Sequence, residues 1–506
     1  MEIMKKYYPV LLFPVLLSLI FSCARKAKEP EPAVLARVGD RLITLDEFIR
    51  RAEYTIRPTY LRGDQYVHKK MILNSLLAEK MVALEAGTDN PLYQSREFQN
   101  YIQGRKEQMM RKYLYNAEGF DKVKLEDAQV RKAYRWAGRE YDVAYFSLPN
   151  KSEADSVQKL LNDPRNSFED VYAKIGGTDA VPTRQVVWQR EGNDAIIEAL
   201  YSDTLRVGQV IGPIQTDEKL YTAIKILGWN ESIAITDEQI RLRMNDVKER
   251  LNRREAEKIY EKYVLKVMKG KTVQFEAKAF YRLADAIKPL YIIPEEEKQK
   301  QFNTKLWGEE SQNVTPKPIT NEFEEIKDWP LLTIAGDVWT VERLRDEMSR
   351  HPLVFRKKRV NDNNFNEQFK LAVVDLIRDK YLTEESYKRN YDRLPSIKRY
   401  ADMWQDHAVA LFHEQQVLRS QGCTYNIYKE PAKTLEQYLN PYVDSLQVKY
   451  SDQVEIDMKM FEDVKLTRID MFVIEQNVPY PIAVPSFPVI TSDVRLDYGQ
   501  DMSKNK

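Results

Sequence analysis

Cysteine, histidine and excess charge are all scarce in this chain of 506 residues: it has 2 Cys, 4 His, and 78 basic against 77 acidic side chains, a net charge of +1. Two cysteines cannot build a disulfide scaffold. The histidines His68, His351, His407 and His413 show no zinc spacing, and Phe412-His413-Glu414-Gln415-Gln416 lacks the second His of a metalloprotease helix. No metal and no cofactor is expected. The balanced charge removes the basic footprint of a nucleic-acid binder. Among the 17 glycines there is neither a phosphate-cradling loop nor a nucleophile elbow. Long apolar runs are absent after Phe21. The 43% apolar and 11% aromatic content, with a mean hydropathy of −0.57, describes a globular body large enough for about two to four domains.

At the N-terminus Lys5 and Lys6 precede the apolar stretch Tyr7 to Phe21 and the sequence Ile20-Phe21-Ser22-Cys23. This resembles a bacterial lipoprotein signal peptide over 1–22. The resemblance implies lipidation of Cys23 and a body held in the periplasm, anchored to a bilayer, with the outer membrane as the expected one. Residues 23–33, charged and Pro-containing, read as a tether. Cys423 is then left without a partner.

Internal repetition organises most of the remainder. Gly39-Asp40 followed by Ile43-Thr44-Leu45-Asp46-Glu47 is echoed by Gly336-Asp337 followed by Trp339-Thr340-Val341-Glu342-Arg343, each reading as a hairpin and a Thr-capped helix. Thr44 and Glu47 have capping-box spacing. Leu73, Leu76, Leu77, Glu79 and Lys80 align with Val373, Leu376, Ile377, Asp379 and Lys380. A third echo matches Val273 to Phe280 with Val454 to Phe461, so each copy is expected to close on its own strand. The copies span 34–285 and 331–465.

The longer first copy contains an insertion over 141–230, bounded by an N-terminal helical segment over 34–140 and a completing helix and strand over 231–285. Its pattern is β-α-α-β-α-β-β, ending in Leu205-Arg206-Val207-Gly208-Gln209-Val210-Ile211-Gly212-Pro213-Ile214 and Leu220-Tyr221-Thr222-Ala223-Ile224-Lys225-Ile226. These residues resemble a parvulin-type prolyl isomerase domain. The flanking helices resemble the chaperone segments of the SurA, PrsA and PpiD group of extracytoplasmic foldases. The implied fold is α+β and multidomain: mostly helical chaperone lobes, one carrying the parvulin-like insert and the second, over 331–465, insert-free.

That resemblance implies two histidines facing each other over a bound proline, yet here the positions fall on Tyr145 and Thr222. Asp179 is the candidate for the acidic group between them. Trp188, Ile196 and Ile197 are expected as apolar walls for a peptide. No catalytic residue is assigned, and the expected function is ATP-independent holding of unfolded or nascent envelope proteins. An active prolyl cis-trans isomerase is the enzymatic alternative, and a SusD-like glycan-binding lipoprotein is the alternative of another class.

Met109-Met110-Arg111-Lys112-Tyr113-Leu114-Tyr115 offers adaptable side chains for clients, with core packing as the competing role. Carboxylates on the charged helices read as solvated. Residues 286–330 read as a linker, and 466–506 as an extended Pro-rich tail that frays after Thr491.

Overall fold

The computed structural model describes residues 29, 31–62, 66–217, 219–292, 321–357, 359–425, 427, 430–467 and 471–505. The signal segment, Cys23, most of the tether and most of the linker lie outside these residues. Among the described residues the chain is mostly helical with three small sheets, and no helix is long and apolar enough to cross a membrane.

The chain opens with the hairpin β1 (Val34–Val38) and β2 (Arg41–Thr44). Gly39 turns it at φ +59°, where a Cβ would be strained. Thr44 Oγ1 accepts from the Glu47 amide at 3.1 Å and opens α1 (Leu45–Glu53). Only this half of the expected capping box is seen, because the Glu47 carboxylate turns inward to Lys80 Nζ at 3.3 Å. Then follow α2 (Tyr66–Ala86), the short α3 (Pro91–Gln94), α4 (Arg96–Glu118) and α5 (Asp127–Trp136).

The insert comprises β3 (Arg139–Leu148), α6 (Lys151–Leu161), α7 (Phe168–Lys174), β4 (Thr183–Val187), α8 (Asp194–Tyr201), β5 (Val210–Asp217) and β6 (Leu220–Glu231). This is the expected β-α-α-β-α-β-β order. Its strands form one antiparallel sheet in the order β4-β3-β6-β5. Both faces are covered: Ala144, Phe146 and Ala223 pack on Phe168 and Val171, while Tyr141, Val143 and Ile226 pack on Trp188, Ile197 and Tyr201.

After the insert, α9 (Asp237–Met268) carries the chain away over 32 residues, about 48 Å at 1.5 Å per residue. It leads to β7 (Val273–Phe275), α10 (Ala277–Tyr291) and α11 (Asn321–Ile326). The second hairpin is β8 (Pro330–Ile334) and β9 (Asp337–Thr340). Its turn is Ala335-Gly336, with φ values of +49° and +83°, so the glycine falls one place later than the Gly-Asp match suggests. The Thr caps coincide: Thr340 Oγ1 accepts from the Arg343 amide at 3.2 Å and opens α12 (Val341–Arg350). The rest is α13 (Phe365–Lys388), α14 (Pro395–Ser420), α15 (Asn440–Tyr450), β10 (Val454–Ile456), α16 (Met458–Asp463) and β11 (Gln500–Asp501).

The two stretches matched in sequence do not close on themselves. The closing strand of the second copy, β10, pairs with β1 through Ala36 and Ile456, and through Val38 and Val454. That of the first copy, β7, pairs with β8 through Leu332 and Phe275, and through Ile334 and Val273. The boundaries 34–285 and 331–465 therefore mark sequence copies rather than separate packing units. The cause is the length of α9, which delivers β7 to the second hairpin. One core joins Leu35, Phe48, Leu77 and Met81 to Trp404, Val443, Val454 and Phe461. The other joins Phe280 and Leu283 to Trp339, Phe365, Phe369 and Leu376.

The tail is extended but not frayed. Tyr480 lodges between α4 and α12, its hydroxyl donating to Arg350 O at 2.9 Å and its amide to Gln108 Oε1 at 2.8 Å. Leu496 is buried, Tyr498 Oη donates to Asn74 Oδ1 at 2.8 Å, and β11 pairs in parallel with β10.

Gly104 on α4 is the point of closest approach in this crossing, since a Cβ there would lie 2.0 Å from Arg350 O and 2.3 Å from Tyr480 Oη. At an open helix position Gly→Ala stabilises by about 1 kcal/mol. At this one the overlap reverses the sign, and Gly104→Ala is expected to lose about 1–3 kcal/mol in urea unfolding.

Candidate functional site

In the insert, β3 and β6 are registered with Ser147 opposite Thr222 and Tyr145 opposite Ile224. Alternation along a strand puts Tyr145, Ser147 and Thr222 on one face. Thr222 is buried, with its Oγ1 2.9 Å from Thr216 Oγ1 and 3.5 Å from Ser147 Oγ. Ile211 and Ile214 on β5 stand opposite Ile224 and Thr222 and give the row an apolar margin. Tyr145 is half-buried, its ring 5.3 Å from the Arg184 guanidinium carbon, and Arg184 in turn pairs with Glu191 at 2.8 Å. Ser and Thr hydroxyls both donate and accept, and with Thr222 buried it is Ser147, exposed, and Thr216, half-buried, that could meet a peptide carbonyl or amide.

Tyr145 and Thr222 are thus brought onto one face. Asp179 is exposed in the connection between α7 and β4. Trp188, Ile196 and Ile197 lie on the same face of the sheet as Tyr145 and Thr222, but they are buried in the core they form with Val143, Ile224 and Ile226. Trp188 packs edge-on against Tyr201 at 5.2 Å, and Arg250 of α9 donates to its carbonyl at 2.7 Å. Ser147 and Thr216 were not singled out from sequence, although Ser147 lies at the strand period from Tyr145.

Several apolar side chains are exposed along the chain from the connection before β5 to the start of α9. Ile233 and Ile235 are 75% and 82% exposed, accompanied by Val207, Leu227 and Leu242. The Met109–Tyr115 stretch of α4 is instead internal packing: Met110 and Leu114 are buried, Tyr113 meets Tyr391 edge-on at 4.7 Å, and Tyr115 meets Tyr260 at 4.9 Å. The cause is that α4 runs between the helices of both copies.

A second polar constellation lies in the helical body, where solvated carboxylates were expected. Arg51 grips Glu79 with two hydrogen bonds of 2.9 and 2.8 Å, and Glu79 accepts from His407 Nδ1 at 2.7 Å. Lys80 bridges Glu47 at 3.3 Å and Asp406 at 3.1 Å, and Asp406 also receives Arg41 at 3.0 Å. Burial opposes charge on both Glu79 and Lys80. Arg51 and His407 nevertheless hold the Glu79 carboxyl well below its ordinary value, and Glu47 and Asp406 hold the Lys80 ammonium above its own. The matched positions in the other copy behave alike: Asp379 meets His351 at 3.0 Å and Arg378 at 2.7 Å, and Lys380 meets Glu347 at 2.9 Å.

With Glu79 ionised, His407 donates from Nδ1 and accepts at Nε2 from Ser486 Oγ, 3.1 Å away. This has the order of a nucleophile relay. The adjoining cavity, lined by Glu79, His407, Glu414, Ser486, Phe487 and Ile490, has about 20 Å³ for water centres, room for roughly one water and not for a substrate. The chain of bonds therefore fastens the tail to α2 and α14, helped by Arg51 donating to Ser486 O at 2.9 Å.

Glu414 faces the same cavity. Burial, and then the Glu79 charge, pushes its carboxyl from 4.5 up to about 8. The native state keeps a proton that the unfolded chain releases above about 4.5, so this group costs stability as pH rises, until the cost levels off above about 8. Glu414→Gln should be near neutral at about pH 5 and stabilising by up to a few kcal/mol at about pH 9, read from paired urea unfolding curves. A gain that does not grow with pH would contradict the protonated assignment. Comparison with family models, curated proteins and solved structures returns no match to this chain.

Proposed function

We propose that this protein is a lipid-anchored, ATP-independent holding chaperone of the periplasm, with a parvulin-like domain that has lost isomerase chemistry. The observation that carries the reading is the insert: a β-α-α-β-α-β-β unit on one antiparallel sheet, in which the two positions where the resemblance requires imidazoles are Tyr145 and Thr222 on a shared face. Isomerisation of an X-Pro amide must overcome a barrier of about 18–20 kcal/mol. A row of Thr and Ser hydroxyls can grip an extended backbone through hydrogen bonds but supplies no imidazole pair. Holding needs exposed apolar surface on a stable frame, which Ile233, Ile235, Leu242 and Val207 provide. Weak contacts at the hydroxyl row and at this apolar border would act together on one client chain.

Two assays test the proposal. Turnover of a proline-containing tetrapeptide should stay at the uncatalysed rate, and Tyr145→Ala should leave it there. A rate well above background that Tyr145→Ala abolishes would replace holding with catalysis. Suppression of aggregation of an unfolded outer-membrane protein should be present, and Ile233→Asp with Ile235→Asp should weaken it severalfold while the melting curve stays unchanged. Undiminished suppression in that variant would remove the apolar border from the mechanism.

A further inference from the structure

The start of α14 fixes where the N-terminal segment leaves the body. Glu29 accepts from the Ser396 amide at 3.1 Å and from Ser396 Oγ at 2.6 Å, so its carboxylate satisfies the first turn of that helix. Five residues lie between Cys23 and Glu29, a span of at most about 22 Å even when fully extended. A lipid on Cys23 would therefore bring the N-terminal end of α14 close to the bilayer, and the chemistry of that end decides whether contact is favourable.

That end is basic. Arg393 is largely exposed and only 4.0 Å from its nearest acid, Asp392. Lys398 is exposed and Arg399 half-exposed, and among the described residues neither has an ion-pair partner. Lys388, one helix earlier, is exposed but paired with Glu385 at 2.7 Å. The intervening sequence adds Arg25, Lys26 and Lys28. Bases gathered beside a lipid attachment are the pattern that anionic headgroups attract, over a range set by a Debye length of about 10 Å at 0.1 M salt.

We infer that the N-terminal end of α14, through Arg393, Lys398 and Arg399, is a membrane-facing surface that rests on anionic headgroups of the bilayer holding Cys23. This orientation rests on the lipid-anchor reading above. It turns one defined end of the helical body toward the lipid and gives the short tether a fixed exit.

The test uses the full-length protein reconstituted in vesicles, with Cys423→Ser and a fluorophore at Pro395→Cys, an exposed first-turn position. The vesicles carry a headgroup nitroxide quencher. Quenching should be at least about twofold stronger with phosphatidylglycerol present than in phosphatidylcholine alone, and high salt should reduce it. The pair Lys398→Glu and Arg399→Glu should abolish the difference between the two lipids. A lipidated Cys23, verified by mass, together with equal quenching in both vesicles or no effect of charge reversal, overturns the orientation alone. An unmodified Cys23 overturns the anchor and this inference together. Should the reporter variant not fold, the charge-reversal pair on the otherwise native chain gives the same decision by comparing the salt dependence of trypsin cleavage after Arg393, which both proteins retain, on the lipid-bound protein.

Discussion

The pairing of β1 with β10 constrains everything else in this molecule. Arg37 and Glu455, 418 residues apart in sequence, meet at 2.7 Å across it. Joining such distant segments has an entropy cost that grows only logarithmically with the loop, so distance alone does not forbid it. What favours it is the apolar surface enclosed: Leu35, Val38 and Phe48 from one end of the chain close over Val443, Val454 and Phe461 from the other. The β7 and β8 pairing does the same for the second core. Because each hairpin is completed by the other copy's strand, neither copy has a finished core of its own, and α4 is packed between helices of both.

Ion pairs inside this crossed arrangement follow from the same geometry. Glu79 and Lys80 face α1 on one side and α14 on the other, so they are desolvated as soon as the core closes. Three cations, Arg41, Arg51 and Lys80, answer three carboxylates, Glu47, Glu79 and Asp406. Such a set gains little over apolar packing but is costly to leave half-made, so it penalises any other placement of these helices. The same two-residue acid and lysine step recurs at Asp379 and Lys380 with different partners.

Much of the local structure is legible in the sequence because it is locally encoded. Hairpin turns, Thr44 and Thr340 as caps, and the seven elements of the insert all follow from periods and capping residues within a few positions. The partner of each strand is not so encoded, since β7 and β10 carry the same alternation and either could pair with either hairpin. The inward turn of Glu47, and the burial of Glu79 and Lys80 within α2, are likewise tertiary outcomes. In the candidate face, Tyr145 and Thr222 could be named only through the family resemblance. Thr216 could not, because its approach to Thr222 depends on an irregular register between β5 and β6. Trp188, Ile196 and Ile197 have the composition of a binding wall and of a core alike, and α9 laid over them makes them core.

The crossed closure bears on how such a chain matures. Residues 34–44 and the helices after them are synthesised well before the strand and helices that cover them. For most of its production the polypeptide presents an uncovered apolar hairpin and waits, so partially made chains share the hazards of any nascent protein. A chain built this way keeps its first hairpin uncovered until β10 and the helices before it have been made.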